Sequence, residues 1–135
     1  MNYTVRTITI EELEKLNPLF VVDDYTRFIK ERAERMAQND IDIYVLEDNN
    51  KFIGEITIVY NHKIYEDYTI PNKRVYMEAL RVLEEYQSKG IGQYLLEEVI
   101  NRVREQGYSE ITIGVEDDNE NAKHIFILNM DLINL

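Results

Sequence analysis

The chain has 135 residues, 44% of them hydrophobic and 30% charged, an ordinary balance for a folded domain with one hydrophobic core. Its 26 acidic residues against 15 basic ones give a formal net charge of −11, which opposes general attraction to nucleic acid or an anionic membrane and is compatible with an amine as substrate. Zero cysteine excludes a disulfide framework, a thiolate metal site and a cysteine nucleophile.

No stretch reaches the roughly 20 apolar residues that cross a bilayer, and residues 1–6 lack the basic and apolar regions of a signal peptide, so a cytoplasmic location is expected. Without repeats, low-complexity segments or long Gly/Pro/Ser linkers, residues 1–135 read as a single domain. Val5–Ile8 predicts a short first strand. Thr9-Ile10-Glu11-Glu12 has the form of a capping box and opens a short helix that stops near Asn17-Pro18. Tyr25, Phe28, Ile29, Ala33 and Met36 recur at helical spacing, with Arg27, Lys30, Glu31 and Glu34 facing away, which predicts a second, sheet-packing helix. Ile41–Leu46 and Phe52–Tyr60 are β-rich runs joined by the turn residues Glu47-Asp48-Asn49-Asn50-Lys51, the pattern of a hairpin. Asn61–Lys73 is polar loop. Arg74–Leu83 then predicts a strand with Tyr76, Glu78, Leu80 and Val82 on one face. Ile91, Leu95, Leu96, Val99, Ile100 and Val103 form the apolar stripe of a helix that Gly107 ends. Ile111, Ile113 and Val115 alternate as a strand, and Asn119 stands where a cap would start a last helix, running to about Leu128. The order predicts a mixed α/β layer fold in which Arg74–Leu83 and Glu110–Val115 are parallel neighbours.

The segment that carries chemistry is Leu80-Arg81-Val82-Leu83-Glu84-Glu85-Tyr86-Gln87-Ser88-Lys89-Gly90-Ile91-Gly92, where a strand ends and a helix begins. Glycine leaves room for a phosphate to approach the main chain, and the first amides of a helix lack internal partners and point outward at its positive end. Gly-x-Gly alone serves a tight turn as well as a ligand. A P-loop is excluded because its lysine and hydroxyl positions are missing, and a dinucleotide fingerprint fails because position 95 is Leu.

Gln87-Ser88-Lys89-Gly90-Ile91-Gly92 matches the Arg/Gln-x-x-Gly-x-Gly/Ala motif of the GNAT superfamily of acetyl-coenzyme A-dependent N-acetyltransferases, and Asn119-Glu120-Asn121-Ala122-Lys123-His124-Ile125-Phe126 resembles that family's Asn-x-x-Ala-x-x-Leu/Ile-Tyr helix. The resemblance is strong over residues 75–126 and rests mainly on element order over 1–74. It implies a mixed, mostly antiparallel sheet with a splayed parallel strand pair and flanking helices. It further implies acetyl-CoA as cosubstrate, with Val82 and Leu83 pairing with pantetheine, Gln87, Ser88, Lys89, Gly90, Ile91 and Gly92 holding pyrophosphate, and Asn119 facing the coenzyme besides capping its helix. No metal is implied. Glu78 is the expected base, directly or through water, with Glu55 as second candidate. His62 and His124 have no carboxylate or second ligand at metal spacing. Tyr60, Tyr65, Tyr68 and Tyr76 suit packing and the wall of an acceptor pocket alike.

The sequence departs from the family at its end. Phe126 stands where many members carry the tyrosine that protonates the coenzyme thiolate, and phenylalanine has no such proton. Met130-Asp131 replaces the usual Gly-Phe, leaving little sequence for a last strand. The expectation is therefore an N-acetyltransferase acting on an amine of a small molecule or peptide. Its alternative is a noncatalytic acyl-CoA-binding or protein-interaction module. The apolar tail is expected to pack on its own domain or on a second subunit as a homodimer.

Overall fold

The structure, a computed structural model, describes residues 3–19, 24–116 and 123–133. Strands β1 (Tyr3–Thr7), β2 (Ile41–Asp48), β3 (Lys51–Val59), β4 (Arg74–Val82), β5 (Glu110–Glu116) and β6 (Lys123–Asn129) form one sheet in that spatial order. Every neighbouring pair is antiparallel except β4 with β5, which is parallel. The β2–β3 hairpin closes through Asn49 and Asn50, both at positive φ (51° and 66°), the backbone that a two-residue primed turn requires and that Asn tolerates.

Helix α1 (Tyr25–Ala37) starts at Asp24, whose carboxylate accepts from the Arg27 amide at 3.1 Å. It covers one face of the sheet together with a 3-10 segment, Ile10–Leu19, which anchors Leu13, Leu16 and Leu19 in the core. Half of the expected capping box forms there: Glu12 reaches back to the Thr9 amide at 3.0 Å and also holds Arg6. Helix α2 (Ile91–Glu105) covers the other face, burying Ile91, Leu95, Val99, Ile100 and Val103. Each of these side chains contributes about 1.5–3 kcal/mol relative to exposure. Gly54 lets α2 sit down on β3, since a β-carbon there would lie 3.1 Å from Leu95 Cδ2.

The C-terminal segment corrects the sequence reading. Residues 123 to about 128, expected in a helix, lie in β6, which is paired along its length with β5 from Glu110↔Asn129 to Glu116↔Lys123. The physical reason lies in the segment Lys-His-Ile-Phe-Ile-Leu-Asn, dominated by β-branched and aromatic residues, beside a β5 edge that would otherwise be unpaired. The sheet therefore has a strand at its far edge, drawn from residues assigned to the helix motif. Asn119 lies outside the described residues.

Candidate active site: a gap between parallel strands

β4 and β5 pair over only four positions, Arg74↔Glu110 to Met77↔Ile113. Beyond them β4 continues to Val82 alongside β3, and β5 continues to Glu116 alongside β6, so the two parallel strands part and leave a gap. The Leu83 amide donates to the Ile53 carbonyl at 2.9 Å. Because main-chain groups alternate in direction along an antiparallel ladder, those of Val82 turn away from β3 and into the gap. Gln87 Nε2 donates to the Val82 carbonyl at 2.9 Å, tying the start of the following loop to this wall. The Leu83 carbonyl accepts from Tyr86, so both main-chain groups of Leu83 have partners within the chain.

A single 3-10 turn, Glu84–Tyr86, carries the chain out of β4. Ser88 (φ 62°) and Gly90 (φ 77°) then adopt left-handed backbone, and Gly90 is the N-cap of α2, with no side chain capping it. The first amide that bonds back into the helix is that of Tyr94, to the Gly90 carbonyl at 3.0 Å, so the amides of Ile91, Gly92 and Gln93 precede the intrahelical ladder. A β-carbon at Gly90 would meet nothing within 4 Å. Gln87 through Gly90 are exposed. The loop is thus open, electropositive at its helix end, and flanked by Lys89, whose ammonium lies 5.7 Å from the Tyr86 ring centroid. Two cavities flank it, one of about 430 Å³ walled by Leu80, Arg81, Val82 and Gln87, the other of about 310 Å³ walled by Tyr3, Lys89, Gly90 and Tyr94. A larger depression of about 900 Å³ lies among the charged residues of α2 and Asp131, away from this loop, and its lining is that of a solvated surface.

Behind the gap, β3 and β4 carry a charged cluster that faces α1. The register runs regularly from Gly54↔Val82 to Thr57↔Ala79 and then shifts to Ile58↔Met77, leaving Glu78 as the extra residue of a β-bulge. The bulge overturns the strand-face assignment read from simple alternation. Val82 faces α2, where its Cγ2 lies 3.6 Å from a β-carbon built on Gly92, and Leu80 shares that face, whereas Glu78 turns to α1. There Arg35 Nη1 donates to both Glu78 oxygens, at 3.0 and 3.3 Å, and Arg32 Nη2 approaches at 3.9 Å. Fully buried Glu55 accepts from Arg81 at 2.9 Å and from Thr57 Oγ1 at 2.8 Å, while Thr57 itself accepts from Arg32. Burial lowers the pKa of the Arg32 guanidinium from its ordinary value, opposed by the carboxylates of Glu55 and Glu78.

A parallel pair that opens after four residues, with an open glycine loop at the head of the next helix, is the arrangement the sequence motif implies. The sequence profile described as the acetyltransferase (GNAT) family matches residues 8–128. The chain belongs to that family. Among solved structures, this GNAT chain resembles the PaiA N-acetyltransferase of Thermoplasma acidophilum in complex with coenzyme A (TM-score 0.63, 23% identity, covering 89% of this chain and 83% of that one). It also resembles a GNAT family acetyltransferase of Staphylococcus aureus (TM-score 0.71, 18% identity, covering 92% of this chain and 94% of that one). N-alpha-acetyltransferase 30 of Schizosaccharomyces pombe is 28% identical over 83 residues, which are 62% of this chain and 52% of that protein. This GNAT chain thus spans about half the length of that curated relative.

Other residues singled out in the sequence fall into two groups. Tyr65, Tyr68 and Tyr76 gather with His62 in one ring cluster, with centroids 4.8–5.5 Å apart, whereas Tyr60 packs on Tyr108 instead. His62 Nδ1 accepts from the amides of Ile64 and Tyr65, a loop-shaping role. Phe126 and His124 lie exposed on β6. Sequence reasoning passed over Arg32, Arg35 and Arg81. A signal for Arg32 was present, because it falls four residues after Phe28, within the apolar stripe of α1, where a charge must find partners inside. Among the described residues no helix is long and apolar enough to cross a membrane, and no group of three or more His, Asp and Glu could hold a metal ion.

Proposed function

We propose that this chain transfers acetyl from acetyl-CoA to an amine of a small molecule or peptide. The observation that carries the reading is the open, uncapped amide end of α2 standing beside a strand gap whose wall presents main-chain groups of Val82. The fit to a diphosphate is physical: Gly90 offers an unobstructed approach, the Ile91, Gly92 and Gln93 amides lack intrahelical partners, and Lys89 adds charge nearby. Gln87 and Ser88 shape the loop, and Leu83 lines the adjoining cavity. Two neighbouring structures contain the coenzyme, by their own descriptions one with coenzyme A and the other, a GNAT family protein of Elizabethkingia anophelis, with acetyl-CoA bound.

Acetyl-CoA supplies an activated thioester. The protein must present an uncharged amine to it, stabilise the oxyanion and return a proton to the departing sulfur. The Val82 amide is the oxyanion donor in this reading, since it faces the gap. Glu78 is the proposed base, acting through water because its carboxylate is held by Arg35. Water replaces the tyrosine as acid, since Phe126 has no donor. Asn119 remains a proposed coenzyme contact, and the cytoplasm remains the proposed location.

A second reading, a noncatalytic acyl-CoA-binding module, is favoured by Phe126 and by the Arg35–Glu78 pair. One measurement tests both readings and a second separates them. Calorimetric titration with acetyl-CoA is expected to give saturable binding, and no heat at high-micromolar coenzyme would remove both. Thiol release across a panel of amines is expected only from a transferase.

A further inference from the structure

Where α1 gives way to β2, the chain turns through Asn39, at positive φ (59°), and reaches Asp40. The main chain there is pinned at both ends: the Asp40 amide donates to the Arg35 carbonyl at 3.0 Å, and its carbonyl accepts from the Tyr60 amide at 2.8 Å. The Asp40 side chain is only 8% exposed, and its buried Oδ2 accepts no hydrogen bond; Lys63 Nζ stands 3.4 Å away as an ion pair, on a side chain that is itself 62% exposed. Buried polar atoms ordinarily find hydrogen-bond partners, so a carboxylate oxygen that has none marks a place where a donor fits.

Asp40 lines a cavity of about 470 Å³. The rings of Tyr60 and Tyr108, with centroids 5.6 Å apart, form one part of its wall, and His62, Glu66 and Thr69 form another. Its remaining lining residues are Asn and Pro, so the wall carries two carboxylates and neither Lys nor Arg. His62 adds no positive charge, because its Nδ1 accepts the amide protons of Ile64 and Tyr65. The volume is that of a site for a small organic molecule, and among the described residues no group of three His, Asp and Glu could hold a metal ion. Aromatic faces, amide oxygens and carboxylates together suit an organic cation.

We propose that this cavity binds a primary alkylammonium, whose head group takes the place of Lys63 Nζ at Asp40 while its chain lies against Tyr60 and Tyr108. Lys63 shows the fit, since its side chain is a butylammonium tethered at the rim, and a free ligand competes with it. The amine held here is not the acetyl acceptor. The cavity lies beyond the start of β4, roughly 25 Å along that strand from the part of the gap at Val82, so this site is independent of the acetyl-transfer reading.

The test is a titration of the full chain with n-butylammonium chloride at fixed ionic strength, followed by amide NMR. Saturable shifts at millimolar ligand are expected in residues 39–40 and 60–72, and 1-butanol, which has the same chain without the charge, leaves them in place. Asp40→Asn keeps the shape and removes the charge, which weakens binding by about tenfold or more. Lys63→Met removes the tethered competitor and tightens binding about two- to fivefold, whereas a merely structural Lys63 would leave affinity unchanged or lower it. The amide spectrum of each variant reports whether it is folded, and Lys63→Met decides the matter if Asp40→Asn does not fold. No shift at about 20 mM, shifts confined to residues 80–93, equal shifts with 1-butanol, or a Lys63→Met protein that binds no more tightly than the wild type overturns the proposal.

Discussion

Replacing Gly90 by Ala separates the fold's demand on the α2 loop from the ligand's. Gly90 has φ 77°, and left-handed backbone costs an L-residue about 1–2 kcal/mol. Alanine also restricts the unfolded chain, which returns about 0.4–1 kcal/mol, and its β-carbon would meet nothing within 4 Å, so no clash is added. The net destabilisation is at most about 1.6 kcal/mol, a fall in Tm of up to roughly 8 °C for a domain of this size. In the proposed mode of coenzyme binding, the same methyl would stand on the side from which a phosphate reaches the first amides of α2. Losing one or two charge-assisted hydrogen bonds, at about 1.5–3 kcal/mol each, weakens coenzyme binding by roughly 10- to 100-fold or more. Gly107→Ala is the matched control, since Gly107 also has positive φ (103°) and open surroundings but ends α2 far from the loop. Its φ lies further from the left-handed region open to alanine, so it is expected to lower Tm at least as much while leaving affinity unchanged. Scanning calorimetry and titration with CoA read the two effects. If Gly90→Ala lowers Tm as worked while CoA affinity stays within about twofold, the phosphate does not sit against this loop.

Glu78→Gln is expected to lower acetyl transfer by about 10²-fold or more with little change in KM for acetyl-CoA, and an unchanged rate across the pH range would remove Glu78 as base. Glu55→Gln leaves Arg81 and Arg32 with a buried deficit of negative charge, so urea unfolding should register a loss of about 3–5 kcal/mol; a change below about 1 kcal/mol would mean the cluster is well solvated. The Glu12 carboxyl is held at about 2, below its usual 4.5, first by the hydrogen bond from Arg6 and then by the Thr9 amide. A depressed folded pKa stabilises above the unfolded value and loses that contribution as pH falls through the folded one. The stability advantage of the wild type over Glu12→Gln should therefore be full above about pH 4.5 and shrink towards pH 2. Equal urea midpoints of the two proteins at pH 7 would contradict this assignment.

The sequence disclosed most of the fold because its signals were local. The Asn49-Asn50 turn, the alternation in β4 and β5, and the 3.6-residue stripe of α2 each depend on neighbours in the chain. The glycine loop was legible for the same reason: Gly90 and Gly92 stand directly before the apolar stripe of α2, and the motif is read from neighbours in the chain. What escaped notice depended on partners distant in sequence. The bulge at Glu78 arises from a mismatch between β3 and β4 that neither strand displays alone, and it reverses the face of the proposed base. The cluster of Arg32, Arg35 and Arg81 around Glu55 and Glu78 joins three elements. At residues 123–129 the helix motif competed with β propensity, and the unsatisfied edge of β5 decided the outcome.

The short reach of the β4–β5 ladder has a thermodynamic consequence. Only four register pairs join the two halves of the sheet, so the upper part of each strand is held from one side. In the proposed mode of coenzyme binding, a molecule seated between them would supply the rungs the polypeptide omits and would bind the folded form alone. At 100 times its Kd, such a guest adds about 2.7 kcal/mol to stability. The lifetime of this protein would then follow the metabolic supply of its guest, rising when the thioester pool is full and falling when it is drained.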